Sequence, residues 1–260
     1  MRQAQTTADS EGTSIEQPQP FCTLELAVAV SMQSAAMALA MARLRAMDPE
    51  QSESQRRIVS VGDAHGDTWL KYEWHMWWQP PTLWRDDVLW PDGETNVTIV
   101  RPDAALSYLS HPPTLYTSDK VRDFANRRLV SPPAGLQLPT VESRLTEFPL
   151  IRPRLPASDW QLTPVGPESH LGRASRRVHA KRRADSIRTD DRRLGFWRGV
   201  DEYECVIDEE FEIVLSVTGT VDGKPAGVMS VERISIDRPI PAAIFDFSPP
   251  SGASIALISE

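Results

Sequence analysis

Residues 68–79 read Thr-Trp-Leu-Lys-Tyr-Glu-Trp-His-Met-Trp-Trp-Gln, and their alternation decides the fold class. Leu70, Tyr72, Trp74, Met76 and Trp78 fall on one side, with Lys71, Glu73 and His75 among those on the other. A period of two belongs to a β-strand with one buried face. Pro80-Pro81 stops it, because proline has no N–H to give to a ladder. A partner strand is expected over residues 82–90, a turn at Pro91-Asp92-Gly93 and a further strand over 96–101. Three strands joined by short turns make an antiparallel meander.

Working toward the N-terminus, residues 23–47 are the long apolar stretch of the chain, rich in alanine. They predict a helix with a stripe at Met37, Met41 and Leu44, ending near Asp48-Pro49. The uninterrupted apolar part, 34–42, is short of the roughly 20 residues a bilayer requires, so no stable membrane insertion is expected. A methionine stripe serves core packing or, less commonly, an adaptable lid over a ligand. Residues 1–20 are polar and read as a disordered tail without a secretory signal. As it stands the chain reads as cytoplasmic, or as exported if translation starts upstream.

In the other direction, residues 110–172 contain ten of the 22 prolines and read as an irregular flap with one short helix at 119–129. The meander resumes after Gly172. Residues 175–184 place Val178 and Ala180 on one face and Arg177, His179, Lys181 and Arg183 on the other, and 201–208 bury Tyr203, Cys205 and Ile207. A β-branched run follows at 211–221, then the Asp222-Gly223 signal of a tight hairpin. Residues 226–237 return, and 239–247 close with a proline-bounded edge. The expected organisation is a single domain over 21–260, with a helical segment (21–56), a first meander (57–109), the flap (110–172) and a second meander (173–252).

Composition narrows the function classes. The 260 residues, 40% hydrophobic and 25% charged, exclude a collagen, a coiled coil and wholesale disorder. A net charge of −8 argues against nucleic-acid binding, which depends on neutralising phosphates. The charge is uneven: residues 173–198 hold ten Lys/Arg against three acids, and 199–260 hold three against twelve. The basic run is read either as a solvated strand face paired with acids at 201–212 or as a contact for an acidic protein partner. Cys22 and Cys205 lack zinc spacing and read as free thiols.

Catalytic patterns are sparse. Gly62-Asp63-Ala64-His65-Gly66-Asp67 after a β-run resembles the opening of metallophosphoesterases, but that chemistry needs further Asn, His and carboxylate ligands. The two asparagines, Asn96 and Asn126, have no neighbouring histidine, so the element reads as a turn. Gly-x-Ser-x-Gly, a P-loop and Gly-x-Gly-x-x-Gly are absent. The acid pairs Asp86-Asp87, Asp190-Asp191 and Glu209-Glu210 are expected as solvated carboxylates. No enzyme activity, metal or cofactor is expected.

The eight tryptophans carry the remaining signal. Trp74, Trp77, Trp78, Trp84 and Trp90 fall on two adjacent strands. Each can hide on the order of 150–250 Å² of surface, so the wall they build serves equally as core or as the lining of a groove for a hydrophobic ligand.

Longer stretches point to a family. They are Trp74-His75-Met76-Trp77-Trp78-Gln79-Pro80-Pro81-Thr82-Leu83-Trp84-Arg85, Trp160-Gln161-Leu162-Thr163-Pro164-Val165-Gly166, Asp201-Glu202-Tyr203-Glu204-Cys205-Val206-Ile207-Asp208 and Val217-Thr218-Gly219-Thr220-Val221-Asp222-Gly223. Phe245-Asp246-Phe247-Ser248-Pro249-Pro250-Ser251-Gly252 closes the series. Over residues 65–252 the chain resembles the LolA/LolB-like lipoprotein-carrier superfamily, in its divergent actinobacterial branch. The resemblance implies an α+β, mainly antiparallel, open curved half-barrel whose concave face is covered by a helix and a proline-rich flap. It also implies a cavity for acyl chains or, in a related branch, lipid sensing coupled to a protein partner.

Two functions follow as expectations. The first is non-enzymatic binding of a lipid or acyl chain in a tryptophan-lined groove walled by Trp74, Met76, Trp78, Trp84, Tyr203, Leu215 and Phe245. The second is a protein-interaction module using the basic 173–198 face, with the aromatic wall as core.

Overall fold

The computed structural model describes residues 22–47, 69–118, 128–134, 136–140, 150–151, 159–183, 197 and 199–258. Among them run thirteen strands and one α-helix: β1 (Leu24–Gln33), α1 (Ser34–Met47), β2 (Trp69–Gln79), β3 (Leu83–Leu89), β4 (Thr95–Arg101), β5 (Ala104–Ser110), β6 (Pro113–Ser118), β7 (Arg128–Val130), β8 (Trp160–His170), β9 (Arg173–Arg182), β10 (Glu202–Asp208), β11 (Val214–Val221), β12 (Lys224–Ile236) and β13 (Ser254–Ile258). They form one sheet in the order β7-β13-β6-β5-β4-β3-β2-β1-β12-β11-β10-β9-β8. The two ends do not meet, so the sheet is the open, mainly antiparallel half-barrel expected. Register shifts at Ala27/Val28, Pro164/Gly166, Val206/Ile207 and Gly219/Thr220 add local twist and bend.

The predicted helix over 23–47 is half right. Residues 24–33 are a strand, because Leu24, Leu26, Val28, Val30 and Met32 alternate at period two and all five are buried. β1 lies between β2 and β12, pairing Leu24 with Trp78 and with Ile236. The helix begins only at Ser34, where the Gln33 side-chain oxygen accepts the Ala36 N–H at 2.5 Å. Met37 is buried in the core, whereas the side chains of Met41 and Leu44 lie outside the described set.

Three more expectations are corrected. The supposedly irregular 110–172 stretch contains β6, β7 and the eleven-residue β8. Proline disguised β8: Pro164 and Pro167 are tolerated because the strand is the outermost of the sheet. The closing edge at 239–247 is a 3-10 turn, Ala242–Phe245, and the sheet is completed instead by β13, parallel to β6 and β7. Of the helix expected at 119–129, residues 119–127 lie outside the described set, and Arg128–Val130 is β7. The tail 1–20 and the Gly62–Asp67 element also fall outside it.

Both faces of the sheet are packed. The inner face carries the larger core, running from Val100 through Trp84, Met76 and Leu26 to Val231, Val217 and Tyr203, with Met37 and Ala40 of α1 set against it. The outer face of β4–β6 carries a second cluster around Val97, Ile99, Leu106, Tyr108 and Leu115. Adjacent residues of a strand face opposite sides, so Val100 belongs to the first and Ile99 to the second. The chain after β12 covers this second cluster, Phe247 lying 5.2 Å from Tyr108 between ring centroids.

Candidate functional site

The strand alternation places most of the aromatic wall together. Trp78 pairs with Trp84 across β2 and β3, and Trp84 with Val100 on β4, so all three share the inner face. Trp78 and Trp84 lie 6.4 Å apart between ring centroids. Met76, Trp84, Tyr203 and Leu215 are fully buried, Trp78 is nearly so, and Trp74 packs against the cluster from its margin. Phe245 is the exception. Its turn is anchored by Arg85, whose guanidinium donates to the Ile244 carbonyl at 2.6 Å, and Arg85 leaves β3 on the side opposite Trp84. Phe245 therefore sits against the outer face.

A carboxylate stands inside the wall. Asp86 is 2% exposed and accepts the Trp84 indole N–H at 2.5 Å, with the Trp74 indole nitrogen at 3.4 Å. The expected solvated pair Asp86-Asp87 is thus split by strand alternation. Asp86 is held by indoles on the inner face, and Asp87 forms a two-point pair with Arg85 at 2.7 and 2.8 Å on the outer one.

The middle of the inner face is filled by residues that alternation did not single out. The ring of Trp197 lies over Gly219 and Gly227, where added β-carbons would stand 2.9 and 2.5 Å from it. Its backbone N–H donates to the Tyr203 hydroxyl, which in turn donates to the Trp197 carbonyl. Val200 and Ala40 close over this plug, and both are fully buried. The available signal was the two glycines themselves, since glycine inside a strand marks close approach by another group.

Where the wall ends at Val100, space opens. A cavity of about 550 Å³ lies between the β2–β3 turn (Pro81, Thr82), the β4–β5 hairpin (Val100 to Ala105), the ends of β6 and β13 (Ser118, Ile258) and the extended segment 137–140. Its surfaces are chiefly apolar, from Pro81, Val100, Ala105, Leu138, Pro139 and Ile258. Ser118, one of its lining residues, has a buried Oγ without a hydrogen-bond partner among the described residues, whereas the Arg101 side chain leaves β4 on the outer face, the side of Ile99. Arg101 holds its charge between two exposed carboxylates, with Nε 3.6 Å from Asp103 and Nη1 3.2 Å from Asp246. The sequence singled out none of these residues as a site, because they come from five separate segments and share no spacing.

The described part of the basic run, 173–183, forms cross-strand pairs. Arg177 meets Glu168 and Glu204, Arg173 meets Asp208 and Glu210, and Lys181 and His179 share Glu202. Hydrogen bonding from Lys181 holds the Glu202 carboxyl below its ordinary range, and Arg177 does the same for Glu168. Arg182 stacks over the Trp160 ring at 4.6 Å. Over these described residues the basic side chains of β9 meet acids on β8, on β10 and in the turn after it.

Among the described residues no group of three His, Cys, Asp or Glu side chains is placed to hold a metal ion, and no helix is long and apolar enough to cross a membrane. Cys205 is buried and Cys22 exposed, both as free thiols.

No family model and no curated protein sequence matches the chain. Solved structures do. An uncharacterized conserved protein from Thermus thermophilus is similar at 11% identity and a TM-score of 0.44, over 91% of this chain and 90% of that one. The lipoprotein LppX of Mycobacterium tuberculosis is similar at 10% identity and a TM-score of 0.41, over 85% and 89%. A LolA superfamily protein from Nitrosomonas europaea is similar at 9% identity and a TM-score of 0.28, over 88% and 92%.

Proposed function

We propose that the protein is a non-enzymatic binder of a hydrophobic ligand, a lipid or acyl chain, and that the ligand enters the cavity at the Val100 end of the aromatic wall. The observation that carries this reading is the cavity itself. At about 550 Å³ and with chiefly apolar sides, it falls within the roughly 300–1,000 Å³ of small-molecule sites. Trp84 and Trp78 lie one and two strands from Val100 on the same face and form the dense floor from which the cavity extends. Trp74, Met76, Tyr203 and Leu215 support that floor from within the core.

The test is gentle purification followed by native mass spectrometry. Retained lipid is the expected result, and Ala105→Trp, which fills the cavity from β5, should abolish it. Protein that emerges clean and whose tryptophan fluorescence does not respond to fatty-acyl probes overturns the reading.

A further inference from the structure

We infer that the ligand is a single-chain lipid, one acyl chain whose carbonyl oxygen meets the Ser118 hydroxyl, in preference to a lipid of two or three chains. The inference rests on the cavity being the ligand site. Strand registers place one row of inward-facing residues across the sheet: Trp78 opposite Trp84, Trp84 opposite Val100, Val100 opposite Ala105, and Ser118 beside Ile258. The β5–β6 pairing runs to Leu106 and Thr117, so one step further sets Ala105 against Ser118 and makes the row continuous. Its side chains shrink from two indoles to Val, Ala and Ser, and the cavity lies where they are small.

The size of the space sets the number of chains. A methylene group fills about as much liquid volume as a water molecule, ~30 Å³, so a cavity of about 550 Å³ takes roughly 18 carbons. One acyl chain reaches that figure, and a second has no room because the inner face beyond Val100 is closed. Trp84 there is fully buried, and Trp197 fills the middle of the sheet over Gly219 and Gly227. Interiors are packed to the density of organic crystals, so a second channel would require displacing an indole. The polar chemistry agrees. Ser118 is 3% exposed and faces inward, and among the described residues its Oγ has no hydrogen-bond partner. Native proteins leave few buried polar atoms in that state, because the group has given up water without a replacement. A purely hydrocarbon occupant would leave it so, whereas the carbonyl oxygen at the head of an acyl chain accepts its O–H. One hydroxyl donates to one such oxygen, and the apolar sides, Val100, Ala105, Leu138 and Ile258, take the chain. Two sources share this chemistry: a free fatty acid and a monoacyl ester lipid.

The experiment is displacement of an apolar fluorescent reporter, N-phenyl-1-naphthylamine, from the full-length protein. The competitors are saturated fatty acids from laurate to behenate, then oleate, 1-oleoylglycerol and dioleoylglycerol. Fatty-acid affinity should rise roughly fourfold per methylene and level off near about 18 carbons. The single-chain oleoyl compounds should compete at roughly tenfold lower concentration than dioleoylglycerol, and the tighter of oleate and 1-oleoylglycerol identifies the source. Ala105→Leu adds three carbons to the floor and should move the levelling-off to chains about three carbons shorter. Ser118→Ala should weaken oleate and 1-oleoylglycerol about tenfold and leave the levelling-off in place. Dioleoylglycerol competing as well as the single chains, a levelling-off that Ala105→Leu does not move, or unchanged affinities in Ser118→Ala each overturn the inference while the cavity reading stands. Failure of the reporter to bind overturns both.

Discussion

The ring of Trp197 rests on Gly227 so closely that a β-carbon at that position would stand 2.5 Å from the indole. The contact joins the segment before β10 to the floor of the sheet, and a second glycine, Gly219 on the neighbouring strand, extends the platform. Gly227→Ala is therefore expected to lower stability by about 1–3 kcal/mol, because the ring or the strand must move. Gly223→Ser is a poor control, since Gly223 has a φ of +73° that only the hairpin turn requires. Trp197→Ala removes the other partner and should lose about 3–5 kcal/mol. Urea unfolding followed by circular dichroism measures all three, and an unperturbed Gly227→Ala would mean that the indole does not rest there.

Removing the acceptor inside the wall tests its second fixed point. Asp86→Ala leaves the buried Trp84 indole N–H without the oxygen it now meets at 2.5 Å, and a loss of about 1–3 kcal/mol is expected. Asp86→Asn keeps an acceptor oxygen and should lose less. The two variants falling together in thermal denaturation would assign the effect to charge instead of to the hydrogen bond.

Acid should loosen the β8–β10 region first. Glu202, held low by Lys181, and Glu168, held low by Arg177, bind protons less tightly folded than unfolded. Their contribution is present above the ordinary carboxylate range and is lost as pH falls through the lowered values. The thermal midpoint is expected to drop between about pH 5 and pH 3, less steeply in Glu202→Gln and in high salt, because both groups are solvent-screened. A midpoint whose pH slope is identical in wild type and Glu202→Gln would remove Glu202 from the account.

The two thiols should separate cleanly. Burial, helped by the Glu204 charge, pushes the Cys205 thiol up to about 12, so it stays protonated and shielded through neutral and mildly alkaline pH. Ellman's reagent at about pH 8 should therefore titrate one thiol, Cys22, in the native protein and both after denaturation. Two fast thiols in the native state would place Cys205 outside the core.

Alternation made the Trp69–Gln79 strand and the charged face of β9 readable before any coordinates, and the Pro80-Pro81 stop marked where the first strand's partner, Leu83–Leu89, begins. β1 kept the same period but was concealed by alanines and by the helix that follows without a break. β8 was concealed by two prolines that only an edge can carry. The wall residues on β2 and β3 were legible because neighbouring strands put like-facing side chains together. Phe245 was not, since nothing local says which face a connecting turn will cover. The cavity is illegible for a deeper reason: Pro81, Val100, Ser118, Leu138 and Ile258 meet only after long-range pairing is complete.

Strand order also has a consequence for the newly made chain. β2 to β6 and β8 to β12 are each runs of strands paired to their sequence neighbours, and β1 stands between the two runs in the sheet. At one end of β1 the Cys22 N–H donates to the Asp237 carboxylate just after β12 at 2.6 Å, joining residues 215 positions apart. The first of the described strands in chain order is thus the seam of the finished sheet. Until β12 emerges, β1 carries an open edge flanked by Leu24, Leu26, Val28 and Val30, the kind of surface that recruits chaperones or a second nascent chain. Assembly should proceed as two quick local meanders followed by one slow zippering step, with translation speed across residues 202–236 setting how long the seam stands exposed.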